Sequence, residues 1–529
     1  MSMRVATGDE KSERKVSSPS RERHALGVLC GLAAGAWLGG AEAPIKVVTG
    51  SMSPFAVSLC MVAGVFVARW TFPTLLRGTG SIFGDLRAQP HLMVWAVLAG
   101  ALWAVANTLT VFAIRDVGLG VAFPLWNANC LIGLLWGVVL FRELRGASLG
   151  NRLKVGGGAV GIVASAMVLG LSLMPDHGGA SATGHALAGI VAALGASLLW
   201  GTMYVPYRKA YLSGMNPLSF VTVFTVGELG TMTVLAVTLG GGGHALGREL
   251  ASNRGSLFWL FVGGFCWVIG DIFQQYATKF IGIGRGIPLS NTNQLWGLGW
   301  GALVFGELAG VSRAHVWQVV GGSVAMALSA LAISTAAAGE GEERETEAAM
   351  LRESRHYGLE REVGGAGEDT LDPPGARDAQ GGRVHAGRDG LIVILAVGIF
   401  LTLGWFAARP GVLFHGGWAL GLSAVSVAMS MGVGWRLWSQ TGFSESSGAG
   451  KRLPGETKET RVSKARHGAP RLSFAMDRDE DTGEAQGTEI RAVRSGFRAM
   501  AGSILRDVQF WIPASVLGLG ILMLALIRG

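Results

Sequence analysis

The sequence predicts an all-α polytopic membrane protein: a ten-helix bundle built as two inverted repeats of five helices (5+5), followed by about three extra C-terminal transmembrane helices. Of its 529 residues, 50% are hydrophobic and only 15% are charged, with a mean hydropathy of +0.41. Apolar windows of about 20 residues, the length that crosses a bilayer core, recur along the chain. One apolar segment also occurs twice, starting at Gly118 and again at Gly282.

Thirteen apolar windows give the predicted membrane spans, ten of them before residue 338. The 82 glycines of the chain suit such a bundle, because small residues let helix backbones approach closely in lipid. In chain order the predicted spans are residues 25–48, 53–75, 92–114, 117–141, 153–174, 186–208, 217–239, 257–279, 282–305, 316–336, 390–408, 412–434 and 508–528.

The polar stretches divide the chain. Residues 338–389 open with an acidic run and contain few apolar residues, so we expect them to be disordered. The predicted organisation is a cytoplasmic N-terminal tail (1–24), a first five-helix repeat (25–174), a second, inverted repeat (186–336), a disordered cytoplasmic linker (338–389), two extra transmembrane helices (390–434), a charged disordered segment (435–505) and a last transmembrane helix (508–528).

The duplicated segment predicts how the two halves are oriented. About half of positions 118–148 are identical in the second copy, too many for shared composition alone. Five helices per copy mean that the second copy enters the membrane from the opposite side. Arg142 and Arg145 close the first copy, whereas Gly306 and Ala309 replace them in the second. Because basic residues collect in cytoplasmic loops, this exchange predicts an inverted repeat with a cytoplasmic N-terminus. That architecture is common among secondary transporters.

Composition also excludes several classes of function. The formal net charge is +8, but basic and acidic residues alternate in loops and tails, so we expect no nucleic-acid partner. The four cysteines, Cys30, Cys60, Cys130 and Cys266, lie in predicted spans without CxxC spacing. No metal-ligand pattern or catalytic triad stands out, so we expect no metal, no cofactor and no enzymatic activity.

Several short motifs in residues 25–336 are distinctive. They are Trp103-Ala-Val-Ala-Asn107, Gly118-Leu-Gly120, Trp136-Gly137 with Phe141-Arg-Glu143, Trp200-Gly201 with Pro206-Tyr-Arg-Lys209, and Phe305-Gly-Glu307. Together they resemble the glucose/ribose porter (sugar uptake) branch of the drug/metabolite transporter superfamily, which is related to rhamnose-proton symporters and ureide permeases. The resemblance implies a ten-helix carrier that moves a polar solute, often a sugar.

Asp271 is a charged residue inside a predicted span, where a charge costs about 2.5 to 3.5 kcal/mol. Gln274 and Gln275 follow it, and its counterpart in the first repeat is the neutral Asn107. One ionisable group opposite one amide suits a carrier that takes up and releases a proton as access alternates. The alternative is a structural ion pair, for example with Arg285.

Glu228 is a second isolated carboxylate within a predicted span. Thr222, Thr225 and Thr231 flank it on the same predicted helix. It can face a polar cavity or bond a threonine hydroxyl across a helix interface. Asp271 and Glu228 are therefore the two candidate proton-coupling residues.

Paired amides mark both copies of the duplicated segment: Asn127 with Asn129, and Asn291 with Asn293. On a continuous helix the members of a pair point to opposite sides, and the second member shares a face with a tryptophan seven residues later. Amides bond hydroxyl groups in both directions and indole faces cover C–H groups, a combination that suits a sugar. Interhelical hydrogen bonding is the alternative. The predicted substrate-binding residues are Asn107, Trp126, Asn127, Asn129, Trp136, Gln274, Gln275, Asn291, Asn293, Gln294, Trp296 and Trp300.

The sequence thus predicts a multi-pass protein of the plasma or inner membrane. Its expected partners are membrane lipid, a small polar solute such as a sugar, and protons as a candidate coupling ion. Ureides, nucleobases or amino acids are the alternative solutes. An alternative of another class is a non-transporting sensor or scaffold that presents the long C-terminal segments.

Overall fold

The computed structural model describes residues 19–41, 43, 52–117, 125–172, 183–306, 310, 312–336, 340–357, 386–408, 415–440 and 500–528. Within these ranges the secondary structure is helical and contains no strand. Glu307, near the end of the second copy of the duplicated segment, lies outside them.

Six helices cover the first half of the bundle. Proline at the first turn starts α2 well, because its missing N–H has no partner there anyway, and Ser53 caps the same turn by accepting from the Ala56 N–H. The helices are α1 (Pro19–Gly40), α2 (Pro54–Arg77), α3 (Thr79–Ala88), α4 (Leu92–Val117), α5 (Asn129–Phe141) and α6 (Leu149–Ser172).

Seven helices and one π-helical turn cover the second half. Asn216 and Pro217 start α8 in the way that Ser53 and Pro54 start α2. The elements are α7 (Thr183–Leu212), α8 (Pro217–Thr238), α9 (Gly243–Ser252), α10 (Arg254–Ile281), α11 (Ile283–Ser290), α12 (Asn293–Gly299), the π-helical turn Trp300–Val304 and α13 (Arg313–Ser334).

Four more helices follow: α14 (Glu340–His356), α15 (Ala386–Phe406), α16 (Gly416–Gln440) and α17 (Val508–Arg528). The prediction that 338–389 is disordered is wrong for α14 and for the start of α15. In α14 the acidic run lies in the first turns and Arg355 and His356 in the last, an order that the helix dipole favours. The predicted disordered segment 435–505 is also helical at both ends, at 435–440 and 500–505.

Nine of the described helices are long and apolar enough to cross a membrane. They are α2, α4, α7, α8, α10, α13, α15, α16 and α17. The predicted span 117–141 is not one helix, since α4 ends at Val117 and α5 has only 13 residues. The predicted span 282–305 is likewise divided into α11, α12 and the π-helical turn. With this composition and these helices, the chain is an integral, multi-pass membrane protein.

Helix packing follows a regular scheme. In the bundle α1 packs on α10 and α4 packs on α7, while α2 crosses α10 and α4 crosses α8. Among the later helices, α15 packs on α2 and α10, α16 on α1, and α17 on α4 and α7.

Glycine makes the α2–α10 crossing a backbone contact. A Cβ added at Gly64 would lie 2.0 Å from the carbonyl oxygen of Phe261, and one added at Gly264 would lie 2.0 Å from that of Met61. No larger residue fits at either position without separating the helices. This is the close approach that small residues permit in lipid.

The α4–α8 crossing is built in the same way. A Cβ at Gly100 would lie 2.1 Å from the Phe224 carbonyl oxygen, and one at Gly227 would lie 2.2 Å from that of Val97. Gly100 precedes Gly264 by the same 164 residues that separate the two copies of the duplicated segment. Gly100 and Gly264, which are related by this offset, thus each lie at a close backbone contact between two helices.

Candidate functional site

A cavity lies inside the bundle, between α1, α4, α7, α10 and the segments around α5 and α12. Its empty space, including the part open to solvent, is about 520 Å³. None of its lining residues carries a charge. They are Leu38, Trp103, Trp126, Asn127, Asn129, Trp200, Met203, Tyr204, Trp267, Gln274, Asn291 and Asn293.

Two interrupted helices bring the four asparagines together. The chain turns at Asn127, before α5, and again at Asn291, between α11 and α12. Asn291 Nδ2 donates to the Asn127 carbonyl oxygen at 3.2 Å and lies 3.3 Å from Asn129 Oδ1. The expectation that paired asparagines point to opposite sides is therefore wrong, because it assumed continuous helices. All four line one cavity.

Tryptophan rings form much of the wall. Trp103 and Trp267 meet edge to face with centroids 4.9 Å apart, and Trp126 and Trp200 do so at 6.1 Å. Such rings present broad apolar faces with an N–H at one edge.

Three polar atoms of the wall lack a hydrogen-bond partner among the described residues: Trp103 Nε1, Trp200 Nε1 and Asn293 Oδ1. Buried polar groups are nearly always bonded to protein or water. These two donors and one acceptor are buried, and each belongs to a residue that lines the cavity.

Two separate sets of hydrogen bonds are centred on Gln274 and Gln275 of α10. Tyr204 Oη donates to Gln274 Oε1 at 2.9 Å, and Gln274 Nε2 donates to Ser290 Oγ. Tyr211 Oη donates to Gln275 Oε1 at 2.5 Å, and Gln275 Nε2 donates to the carboxylate of Asp271 at 2.7 Å.

Asp271 forms a fully buried ion pair with Arg69, whose Nη2 lies 2.7 Å from Asp271 Oδ2. The predicted alternative partner, Arg285, instead donates Nε–H to the Ile281 carbonyl oxygen at 2.7 Å. The Arg69 guanidinium lies 4.2 Å from the Phe224 ring centroid and 5.4 Å from that of Trp267. The ion pair is thus directly behind a wall of the cavity.

Glu228 is completely buried in the same region. It lies close enough to Arg69 and Asp271 to interact electrostatically with both. Neither carboxyl oxygen has a hydrogen-bond partner among the described residues, so the threonine bond considered as one alternative is not formed. Thr222 and Thr225 instead donate to backbone carbonyl oxygens.

The structure places the predicted residues in two groups. Six line the cavity: Trp126, Asn127, Asn129, Gln274, Asn291 and Asn293. The others lie outside its lining: Asn107, Trp136, Gln275, Gln294, Trp296 and Trp300, with Asp271 and Glu228 in the ionic cluster.

The residues outside the lining serve helix contacts. Asn107 Nδ2 donates to Ser58 Oγ at 2.5 Å, and Trp136 Nε1 donates to Thr202 Oγ1 at 3.0 Å across the α5–α7 interface. Trp296 packs against Gly39 of α1. Trp300 packs in the same way against the neighbouring Gly40 of α1. This is the interhelical bonding and packing that the sequence left open as the alternative.

Arg69 and six lining residues are not among the predicted site residues; the six are Leu38, Trp103, Trp200, Met203, Tyr204 and Trp267. A signal existed for Trp103 and Trp267, which occupy equivalent positions in the two copies. Arg69 is a charge within a predicted span, the same signal that pointed to Asp271.

Fold and cavity together define an integral, multi-pass membrane protein that encloses an uncharged, aromatic and amide-lined cavity. No family model matches the chain. It is 24% identical over 196 residues to "Putative sugar uptake protein lin0215" of Listeria innocua, covering 36% of this chain and 62% of that protein. It is 33% identical over 101 residues to "Putative sugar uptake protein YxfA" of Lactococcus lactis, covering 18% of this chain and 30% of that protein.

The chain therefore spans less than two thirds of the length of these curated relatives. The predicted resemblance to sugar uptake proteins is confirmed, since both relatives carry that name. A solved crystal structure aligns with 58% of this chain and 97% of its own chain at 18% identity, with a TM-score of 0.37.

The buried ion pair yields a prediction for stability. Asp271→Asn is expected to lower the free energy of unfolding by about 3 to 5 kcal/mol, because it removes the salt-bridge partner of a fully buried arginine. Thermal unfolding in detergent measures the loss. The double variant Arg69→Met/Asp271→Leu is expected to recover most of it, because the apolar pair removes both charges of the ion pair. A double variant no more stable than Asp271→Asn would contradict this account.

Proposed function

We propose that the protein is a secondary transporter that moves a sugar or a similar neutral polar metabolite across a membrane by alternating access. One observation carries the proposal: indole rings and neutral amide side chains line an uncharged cavity. Its lining residues Trp103, Trp200 and Asn293 each carry a buried polar atom without a hydrogen-bond partner among the described residues. Two relatives named as sugar uptake proteins support the same solute class.

The chemistry of the lining fits such a solute. Each asparagine or glutamine amide both donates and accepts, as a hydroxyl group does, and each indole face covers the C–H groups of a sugar ring. A charged solute would enter without a counter-charge, because no lining residue is ionised. The solute is therefore a neutral polyol rather than an organic acid or an amine.

Alternating access requires two states, and an inverted five-plus-five repeat is the arrangement we propose for them. Its support is the pairing of helix contacts. If α1, α2 and α4 correspond to α7, α8 and α10, the α1–α10 contact is the counterpart of α4–α7, and α2–α10 that of α4–α8. Two such related halves can rock about a central site.

The inverted arrangement predicts opposite sides for the starts of α6 and α13. Arg152→Cys and Arg313→Cys, each made in a protein whose four native cysteines are replaced by alanine, place one thiol at an exposed position in the first turn of each helix. An impermeant thiol reagent is expected to label Arg152→Cys from the cytoplasmic side and Arg313→Cys from outside. Labelling of both from one side would contradict the inversion.

The cavity predicts which variants lose solute binding. Trp103→Phe removes the buried N–H of a lining residue, which has no partner among the described residues, and is expected to weaken sugar binding by about tenfold, near the value of one hydrogen bond. A screen of aldoses, ureides, nucleobases and amino acids by thermal stabilisation first finds the ligand. Uptake into proteoliposomes then measures the change in KM.

Trp317→Phe is the matched control, since Trp317 is 73% exposed on α13 and lies outside the cavity. Equal loss in both variants would contradict the site. A ligand that binds but never enters the liposomes would favour the sensor or scaffold instead.

Proton coupling is the finer part of the proposal and rests on a mismatch of charges. One cation, Arg69, serves two buried carboxyl groups, and Asp271 forms the salt bridge. Glu228 has no hydrogen-bond partner among the described residues, so it is the group best placed to carry a proton. Gain or loss of that proton would change the charge beside Arg69, and with it the ion pair behind the cavity wall.

Glu228→Gln, which mimics the protonated acid, is expected to abolish the pH dependence of uptake, measured as initial rates across neutral pH. Asp271→Asn is expected to alter that dependence as well, because it changes the same cluster. Glu347→Gln, an exposed position on α14, is the control and should keep the wild-type profile. A wild-type profile in Glu228→Gln would contradict coupling at this residue.

A further inference from the structure

A second buried ionic cluster lies at one end of the bundle, away from the cavity. Lys209, near the end of α7, is held by two acids of the C-terminal region: its Nζ lies 2.6 Å from Glu353 Oε2 and 2.7 Å from Asp507 Oδ2. Glu353 belongs to α14, and Asp507 directly precedes α17. The lysine is only 3% exposed.

Aromatic groups complete this cluster. His91, just before α4, stacks on Tyr357 with ring centroids 3.8 Å apart. Tyr357 Oη accepts from Trp95 Nε1 of α4 and donates to Asp507, both at 3.3 Å. Burial, with Lys209 and His356, lowers the pKa of His91 to about 3, so the stacked ring is neutral near pH 7. We name Lys209, Glu353, Asp507, His91 and Tyr357 the C-terminal clamp.

A neighbouring contact holds the start of α14. Glu345 accepts from Arg142 at 3.1 Å and from Arg145 at 3.0 Å, in the loop that follows α5. In that loop Gly146 approaches so closely that its Cβ would lie 3.3 Å from the Gly341 Cα. The two arginines are those that mark the predicted cytoplasmic side.

The energetics distinguish these two contacts. The arginine pairs are more than half exposed on the arginine side and are worth little. Lys209 is buried, and a buried charge is tolerated only when it is paired, so its release from both acids would be strongly unfavourable. Burial raises the pKa of Glu353, while Lys209 acts to lower it. Of these two contacts, the clamp is thus the stronger.

The clamp joins the two helices that carry much of the cavity wall. α7 supplies Trp200, Met203 and Tyr204, and α4 supplies Trp103. Lys209 is five residues beyond Tyr204, or about 7.5 Å along the helix axis. If the cavity opens toward this end, the ends of α4 and α7 must separate. The clamp connects these two ends and therefore opposes the separation.

We propose that α14 and residues 500–507 form an autoinhibitory clamp, which holds the ends of α4 and α7 closed and slows solute exchange toward that side. The inference rests on the proposed transport function, because closure matters only if the cavity must open. Release of the two acids from Lys209 relieves the inhibition.

The test compares full-length variants. Glu353→Gln/Asp507→Asn removes both negative charges from Lys209, and Tyr357→Ala removes the stack and two hydrogen bonds without unpairing a charge. Glu347→Gln, on the exposed side of α14, is the control. Hydrogen exchange of residues 89–96 and 205–214 reports opening without reference to any solute, and proteoliposome uptake reports transport.

Both clamp variants are expected to speed exchange in these segments by about tenfold, a coupling at the low end of those found in proteins. Initial uptake is expected to rise several-fold, while Glu347→Gln matches the wild type. Unchanged exchange in Tyr357→Ala overturns the clamp, even if the double variant fails to fold. Faster exchange with unchanged uptake overturns autoinhibition. If exchange is faster in the clamp variants but neither they nor the wild type transport any solute, the proposed transport function is overturned. The conclusion that the clamp holds the ends of α4 and α7 together then still stands.

Discussion

The ion pair between Arg69 and Asp271 is the interaction on which the centre of the molecule depends. Lipid offers no counter-charge, so each of these buried charges requires the other. Their contact joins α2 to α10, and Thr222 adds α8 by donating to the Arg69 carbonyl oxygen at 3.0 Å. The same guanidinium lies beside Trp267, which forms part of the cavity wall. The ion pair therefore helps to fix the position of Trp267 in the cavity wall.

Much of the helical layout could be predicted from the sequence, because hydrophobic length is a local property. The spans at 53–75, 92–114 and 217–239 agree with α2, α4 and α8 to within a few residues. α14 was not predictable in this way. Its high content of charged residues predicts disorder, because such a segment buries little apolar surface. Ion pairs with Arg142 and Lys209, which are distant in sequence, hold it in place instead.

The cavity was predictable in chemistry but not in detail. Asparagine and tryptophan in both copies of the duplicated segment indicated a polar, aromatic site. The predicted directions of the asparagine side chains, however, assumed a continuous helix, and the turns at Asn127 and Asn291 interrupt it. The partner of Asp271 was beyond reach for another reason: Arg69 is 202 residues away, and no spacing rule connects two charges on different helices.

The buried, ion-paired position of Lys209 has a practical consequence for preparing this protein. Its two acidic partners both lie after residue 338, in the region that would be removed to obtain a shorter protein for structural work. A protein shortened at that point would keep the buried ammonium group of Lys209 but would lack both carboxylates that pair with it. Water or detergent headgroups would enter that end of the bundle, and a crystal of the shortened chain would show an altered molecule.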